Sequence, residues 1–180
     1  MRYPCAGSPA LAKEITMLLG NENIDPHRGL DHGVWAPLIH LFPKADIPVV
    51  QLSLDATIPF TSHVNLAKKL LPLRQSNVLI IGSGNIVHNI RRWMSDPTGD
   101  ATWAVEFDIA AKNALLQQDL DSLCTLPMTH PHGRDAVPSA EHYLPMLYIA
   151  GLRQTNEPIS MSQFTDKSIE GASMRSFRVG

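Results

Sequence analysis

The chain has 180 residues and a formal net charge of −2 at pH 7; 44% of its residues are hydrophobic and 18% are charged. These values are typical of one globular domain long enough to bury a core, and they lack the positive charge with which proteins bind nucleic acid or anionic membranes. No apolar run approaches the ~20 residues of a membrane-spanning helix, and the N-terminus lacks a signal-peptide pattern, so we expect a cytoplasmic protein with small, neutral partners.

The N-terminal half of the chain predicts an alternation of helices and strands. Ser8 and Pro9 are typical of a helix N-cap and a first helical position. A strand, a helix and a strand over residues 47–81 form a βαβ unit, which favours parallel pairing. The predicted elements are a helix over residues 9–20, a polar loop over 21–33, an apolar segment over 35–42, a strand over 47–54, a helix from 61 or 62 to 71, and a strand over 78–81.

A Gly-rich turn follows the last of these strands. Residues 78–81 are apolar throughout, which is typical of a strand buried on both faces of a parallel sheet, and Gly82 and Gly84 end the run. His88 and Asn89 come next, where the side chains of open α/β sheets face a ligand crevice. A βα turn with a hydrogen-bonded histidine explains the segment equally well. A dinucleotide-binding loop fits less well, because the third Gly of its fingerprint is absent.

The C-terminal half predicts two helices and two short strands. Turn residues over 95–100 lead into the longest predicted helix, and Ser139 is a second N-cap candidate, which puts His142 in the first turn of a helix. The predicted elements are a helix from about 101 to about 120, a polar loop over 125–138, a helix with its body at 147–152, and two antiparallel edge strands over 158–164 and 172–179. With the βαβ unit, they predict a three-layer α/β sandwich around a mostly parallel central sheet.

Three histidines stand out by their placement. His32 lies in a loop bracketed by glycines, His88 follows a predicted buried strand, and His142 lies at a predicted helix start. Non-haem Fe(II) oxygenases hold iron with two histidines and one carboxylate, or a variant of that triad, and leave positions open for substrate and oxygen. A further histidine can act as an acid or a base. Taken singly, each of the three is equally well explained as a core histidine hydrogen-bonded to backbone.

Several segments in a fixed order carry a resemblance to a known family. They are residues 7–12, Leu30-Asp31-His32-Gly33-Val34-Trp35, residues 48–53, Gly82-Ser83-Gly84-Asn85-Ile86-Val87-His88-Asn89-Ile90-Arg91 and Glu141-His142-Tyr143-Leu144-Pro145. On these segments the sequence resembles the class III extradiol ring-cleaving dioxygenases, in particular the 4,5-DOPA extradiol dioxygenase branch. The resemblance extends over nearly the whole chain, which makes it far more specific than a Gly-rich turn alone.

The resemblance implies a reaction and a set of site residues. It places His88 and His142 at a metal centre and His32 in the pocket as a proton donor or acceptor. His88 is then either a ligand or a base, and Glu141 becomes a ligand candidate if the register differs by one residue. The implied cofactor is Fe(II) for activity, with Zn(II) as an alternative occupant. The implied substrates are a small aromatic diol such as DOPA and O2, and the implied product is a muconic semialdehyde.

The sequence departs from the family in one respect. Complete members begin with a His-Gly-Ser-Pro motif and a Ser-Ala-His-Trp type motif, which each supply a metal-binding histidine, and neither occurs here. We therefore expect residues 1–180 to be the C-terminal portion of a single extradiol dioxygenase domain, with an uncovered surface that favours self-association. Two alternatives stay open: a non-catalytic remnant or interaction protein of the same fold, and a zinc-dependent hydrolase that uses the same pocket.

Overall fold

The computed structural model describes residues 3–21, 23–97, 99–162 and 171–180. The helices of these residues are α1 (Pro9–Leu19), α2 (His32–Leu41), α3 (Phe60–Lys69), a short 3₁₀ helix (Leu71–Gln75), α4 (Ile90–Ser95), α5 (Thr102–Gln117), α6 (Leu120–Thr129), α7 (Gly133–Ala136) and α8 (Leu144–Gly151). The strands are β1 (Ile159–Met161) and β2 (Phe177–Val179). Within the described ranges, no helix is both long enough and apolar enough to cross a membrane.

The first two helices begin where capping residues precede them. The Ser8 hydroxyl accepts a hydrogen bond from the Leu11 backbone N–H at 3.3 Å, and the helix ends before Gly20, which confirms the predicted α1. Helix α2 starts after its N-cap, Asp31, so His32 is the first helical residue and does not lie in the predicted loop. This earlier start fixes the backbone of His32.

The C-terminal helices differ from the prediction. The helix predicted from about 101 to about 120 is α5, which ends at Gln117 because Gln118 adopts a left-handed conformation with φ of 57°. Asp119 then caps a separate helix, α6, through the Ser122 N–H. The prediction of a polar loop over 125–138 is wrong: α6 continues to Thr129, and α7 follows it.

A tertiary hydrogen bond explains how α6 tolerates an internal proline. Pro127 has no N–H to donate to the carbonyl of Leu123, one turn earlier. This missing donor is one reason why proline disrupts the interior of a helix. The buried Tyr143 hydroxyl donates to that carbonyl oxygen instead, at 2.8 Å. The side chains of Leu123 and Pro127 are buried as well, so packing and a replacement donor outweigh the local signal.

The sheet formed by the described residues is smaller than the predicted sheet. Strands β1 and β2 pair antiparallel, with Ile159 opposite Val179, which confirms the C-terminal edge strands in shortened form; residues 163–164 of the first predicted strand lie outside the described residues. Residues 47–54 and 78–81 are assigned to neither helix nor strand, so the central parallel sheet is not confirmed. A strand requires a backbone partner, and the side chains of Leu79 and Ile81 are 69% and 43% exposed.

Helix α8 lies at the centre of the core. Its Leu147 joins Phe107 of α5 and Leu123 of α6 in one apolar cluster. Its Tyr148 belongs to a second cluster with residues of α3 and the 3₁₀ helix, and the Tyr148 hydroxyl oxygen lies 3.2 Å from Nδ1 of the fully buried His63. A helix that buries residues on both sides ties the two halves of the described chain together.

An ion pair fastens the 3₁₀ helix to the start of the C-terminal strands. Arg74 donates through Nη1 to Glu157 Oε2 at 2.8 Å, and its Nη2 also contacts the carboxylate. This pairing lowers the pKa of Glu157 to about 2, and the carboxylate side chain is only 17% exposed. A lowered acid pKa adds stability above the unfolded-state pKa near 4.5, and this stability is lost as the pH falls through the folded-state value.

We therefore expect Glu157→Gln to lower the free energy of unfolding at pH 7 by about 1–3 kcal/mol, and the difference from the parent protein to vanish as the pH falls from about 4.5 towards 2. Urea unfolding at several pH values measures both quantities. Asp135→Asn is the matched control, because the Arg92–Asp135 pair is 41% and 47% exposed and should contribute less than about 1 kcal/mol. Equal losses in the two variants would contradict the prediction.

Candidate functional site

Two loops place His88 and His142 next to each other. Residues 85–89 lead from the Gly-rich turn into α4, and the turn that carries His142 leads into α8. The Asn85 backbone N–H donates to the His142 carbonyl oxygen at 2.9 Å, and the His88 N–H donates to the Ala136 carbonyl oxygen at 2.9 Å. The sequence predicted that His142 lies in the first turn of a helix. That prediction is wrong, because His142 lies two residues before the start of α8.

The glycines of the turn allow this close approach. A Cβ atom built on Gly84 would overlap the His142 carbonyl oxygen, and one built on Gly82 would lie 2.6 Å from the Pro145 carbonyl oxygen. Real Cβ atoms do not come so near to backbone oxygens. The turn and the start of α8 can therefore pack backbone against backbone only because these positions lack side chains.

The rings of His88 and His142 are stacked. Their centroids lie 3.6 Å apart with an angle of 11° between the ring planes. Two imidazolium ions at this separation would repel each other strongly. Burial lowers the pKa of His142, the neighbouring His88 lowers it further, Glu141 opposes these effects, and His32 adds a smaller decrease. The lowered pKa favours the neutral form of His142, which can coordinate a metal or accept a proton.

His32 and Glu141 lie at the rim of this pair. His32 is exposed at the start of α2, and the adjacent Gly33 faces the Ser83 hydroxyl of the Gly-rich turn. Gln51 fixes this end of α2 by accepting from the Asp31 N–H at 2.9 Å and donating to the Asp31 carboxylate. Glu141 is exposed, and a hydrogen bond from the Ser139 hydroxyl is the main cause of its lowered pKa.

The side chains of the pair include donors of a kind that metal ions accept. Imidazole nitrogens suit Fe(II) and Zn(II), so His88 and His142 fit such an ion in the kind of donor they offer. Among the residues that the structure describes, no group of three or more His, Cys, Asp or Glu side chains is arranged to hold a metal. The donors present are therefore suitable in kind and too few in number.

The sequence did not predict which segment of the chain pairs with the loop of His88. Residues 171–173 run along the 85–89 loop, with a β-bridge between His88 and Ala172 and a hydrogen bond from the Asn89 N–H to the Gly171 carbonyl oxygen at 2.6 Å. The alternation of residues 172–179 predicted a strand in that region but not its partner. No local pattern identifies a contact between segments more than 80 positions apart.

Comparison with known proteins identifies the family of the chain. Residues 1–174 match the model of the family described as the catalytic LigB subunit of aromatic ring-opening dioxygenase. The chain is 38% identical over 166 residues to the 4,5-DOPA dioxygenase extradiol of Escherichia coli K12, covering 88% of this chain and 61% of that protein. It is 35% identical over 178 residues to the 4,5-DOPA dioxygenase extradiol of Beta vulgaris, covering 96% of this chain and 65% of that protein.

A solved structure supports the same assignment. The crystal structure of an uncharacterized protein from Escherichia coli K12 superimposes with a TM-score of 0.80 at 37% identity, covering 89% of this chain and 68% of that one. The chain thus spans 61% and 65% of the length of the two curated relatives. The resemblance seen in the motifs is confirmed, and the chain belongs to the family of the catalytic LigB subunit of aromatic ring-opening dioxygenases.

Proposed function

We propose that the protein acts as an extradiol dioxygenase, which opens the ring of a small catechol with O2 beside the two hydroxyls and yields a muconic semialdehyde. The stacked His88–His142 pair carries the proposal, because it brings two metal-binding side chains together on a family scaffold. The names of the curated relatives favour a DOPA-like substrate.

The residues of the site suit distinct roles in this reaction. His88 and His142 would hold the metal, with Fe(II) for activity and Zn(II) as a competing occupant. Bound Fe(II) would supply the redox coupling between the diol and O2. His32, exposed at the start of α2, would accept a catechol proton on binding or return one later. His88 would serve as that base if it is not a ligand, and Glu141 would be a ligand candidate if the register differs by one residue.

The proposal extends to the fold. Residues 47–54 and 78–81 would form strands of a mostly parallel sheet in a three-layer sandwich when backbone partners lie beside them. Residues 1–180 would be the C-terminal portion of one domain. The exposure of Leu79 and Ile81 supports this idea, and the same surface favours self-association. We also propose a cytoplasmic location, on the composition of the chain.

Oxygen uptake with catechol and DOPA tests the function. We expect the 180-residue chain, loaded anaerobically with Fe(II), to show negligible turnover, because its described residues bring too few metal-binding side chains together. A fusion that places a segment with the family's His-Gly-Ser-Pro and Ser-Ala-His-Trp type motifs before Met1 should consume O2 and form the coloured ring-opened product. Robust turnover by the chain alone would show that the ligand assignment is wrong.

A second candidate is a non-catalytic protein of the same fold that binds another protein. The small number of metal donors among the described residues and the exposed Leu79 favour it. A fusion that folds and binds Fe(II) but does not consume O2 would support this candidate over the dioxygenase.

A further inference from the structure

A charged network is buried beside the candidate site. Asp108 of α5 and Arg175 have side chains that are 2% and 6% exposed, and the Arg175 Nε donates to Asp108 Oδ2 at 2.9 Å. The Ser173 hydroxyl donates to Asp108 Oδ1 at 2.5 Å and accepts from the Arg175 backbone N–H at 3.2 Å. We call Asp108, Ser173 and Arg175 the Asp108 network.

Stability alone is a weak explanation for such a network. Removing two charges from water costs free energy that their attraction only partly restores, and apolar side chains of similar size often serve a core as well. A buried charge pair fixes the relative orientation of its two side chains, because a bidentate guanidinium–carboxylate contact allows only one geometry. The network therefore fixes the segment that carries Ser173 and Arg175 against α5.

That segment directly supports the loop of His88. The Ser173 backbone N–H donates to the Val87 carbonyl oxygen at 2.9 Å, and the Asn85 side-chain amide donates to the Ser173 carbonyl oxygen at 2.8 Å. Ala172, next to Ser173, forms the β-bridge with His88. The backbone around His88 is thus hydrogen-bonded to residues 172–173, which the Asp108 network holds in place.

We propose that Asp108, Ser173 and Arg175 are positioning residues that fix the ring of His88 against the ring of His142. The inference deepens the proposed function and rests on it for its catalytic meaning. Its geometric part concerns the chain alone and can be measured without turnover.

Imidazole NMR of the full chain, labelled with ¹³C-histidine and held at one pH, tests the geometry. Stacked rings shift each other's resonances, so Ser173→Ala should move the signals of His88 and His142. The signal of His63, a buried residue of α3 that contacts Tyr148 of α8, should stay in place. Asp108→Asn should give the same pattern. Glu157→Gln is the matched control, since it breaks a partly buried ion pair away from the His88 loop and should leave all three signals unchanged.

Kinetics of the active fusion provide the catalytic readout. A small displacement of a group at a reacting centre lowers the rate of chemistry more than it lowers binding, so Ser173→Ala should reduce kcat by about 10-fold to 100-fold with little change in KM. His88 and His142 signals that stay in place, or that move only together with His63, would overturn the positioning role. If these signals move as expected but the parent fusion consumes no O2, the positioning role stands and the dioxygenase function fails.

Discussion

Replacing Gly84 with alanine should displace His142 and lower the activity of the fused protein by at least ~100-fold. The new Cβ would overlap the carbonyl oxygen of His142, which also accepts the Asn85 N–H hydrogen bond. Backbone cannot rotate away as the end of a flexible side chain can, so the turn and the start of α8 must separate. We expect the free energy of unfolding to fall by about 2–4 kcal/mol as well.

Gly29→Ala is the matched control for this change. A Cβ built on Gly29 meets no atom within 4 Å, so this variant should unfold and turn over like the parent protein. Urea unfolding and O2 uptake of the two variants, measured side by side, separate a local clash from a general effect of losing a glycine. A Gly84→Ala protein as stable and active as Gly29→Ala would show that the two loops do not approach as closely as described.

Replacing Asp108 with alanine should have the largest effect on stability in the C-terminal part of the chain. The change removes the carboxylate that faces Arg175 and Ser173 in a site where these side chains are almost fully buried. Removing one partner of a buried charge pair typically costs about 3–5 kcal/mol, because the hydrogen bonds it made are lost where water does not replace them. Denaturant unfolding of the full chain measures this loss.

The double variant Asp108→Leu with Arg175→Met tests why Asp108→Ala should lose stability. Because neither charge is then buried, the double variant should be more stable than Asp108→Ala, even though two side chains differ from the parent. A single variant that loses less than about 1 kcal/mol would contradict the importance of the pair.

The sequence predicted those elements whose signals are local. Ser8 and Pro9 identified the start of α1, and alternation identified the C-terminal strands. The Gly-rich turn and its family motif pointed to His88, because close backbone approach requires glycine and glycine is visible in a sequence. His142 was predicted in the same way, from its motif, although its predicted place in the first turn of a helix was wrong.

The sequence misled where distant parts of the chain decide the structure. Residues 125–138 were predicted to form a polar loop, yet the Tyr143 hydroxyl replaces the donor that Pro127 lacks, and α6 continues to Thr129. The contact between Ala172 and His88 joins segments that no periodicity links. The strands predicted over 47–54 and 78–81 are not confirmed, because a strand requires a paired backbone and composition does not identify the partner.

The most direct test of the central claim compares histidine variants of the fused protein. Fe(II) affinity and catechol-dependent O2 uptake should be measured together for His88→Gln, His142→Gln and, as a control, His40→Gln, which changes an exposed histidine at the far end of α2. If His88 and His142 serve one metal site, His142→Gln should weaken Fe(II) binding by at least ~10-fold and abolish turnover, His88→Gln should abolish turnover, and His40→Gln should change neither. Retained turnover in His88→Gln or His142→Gln would contradict the claim that the stacked pair is the catalytic centre.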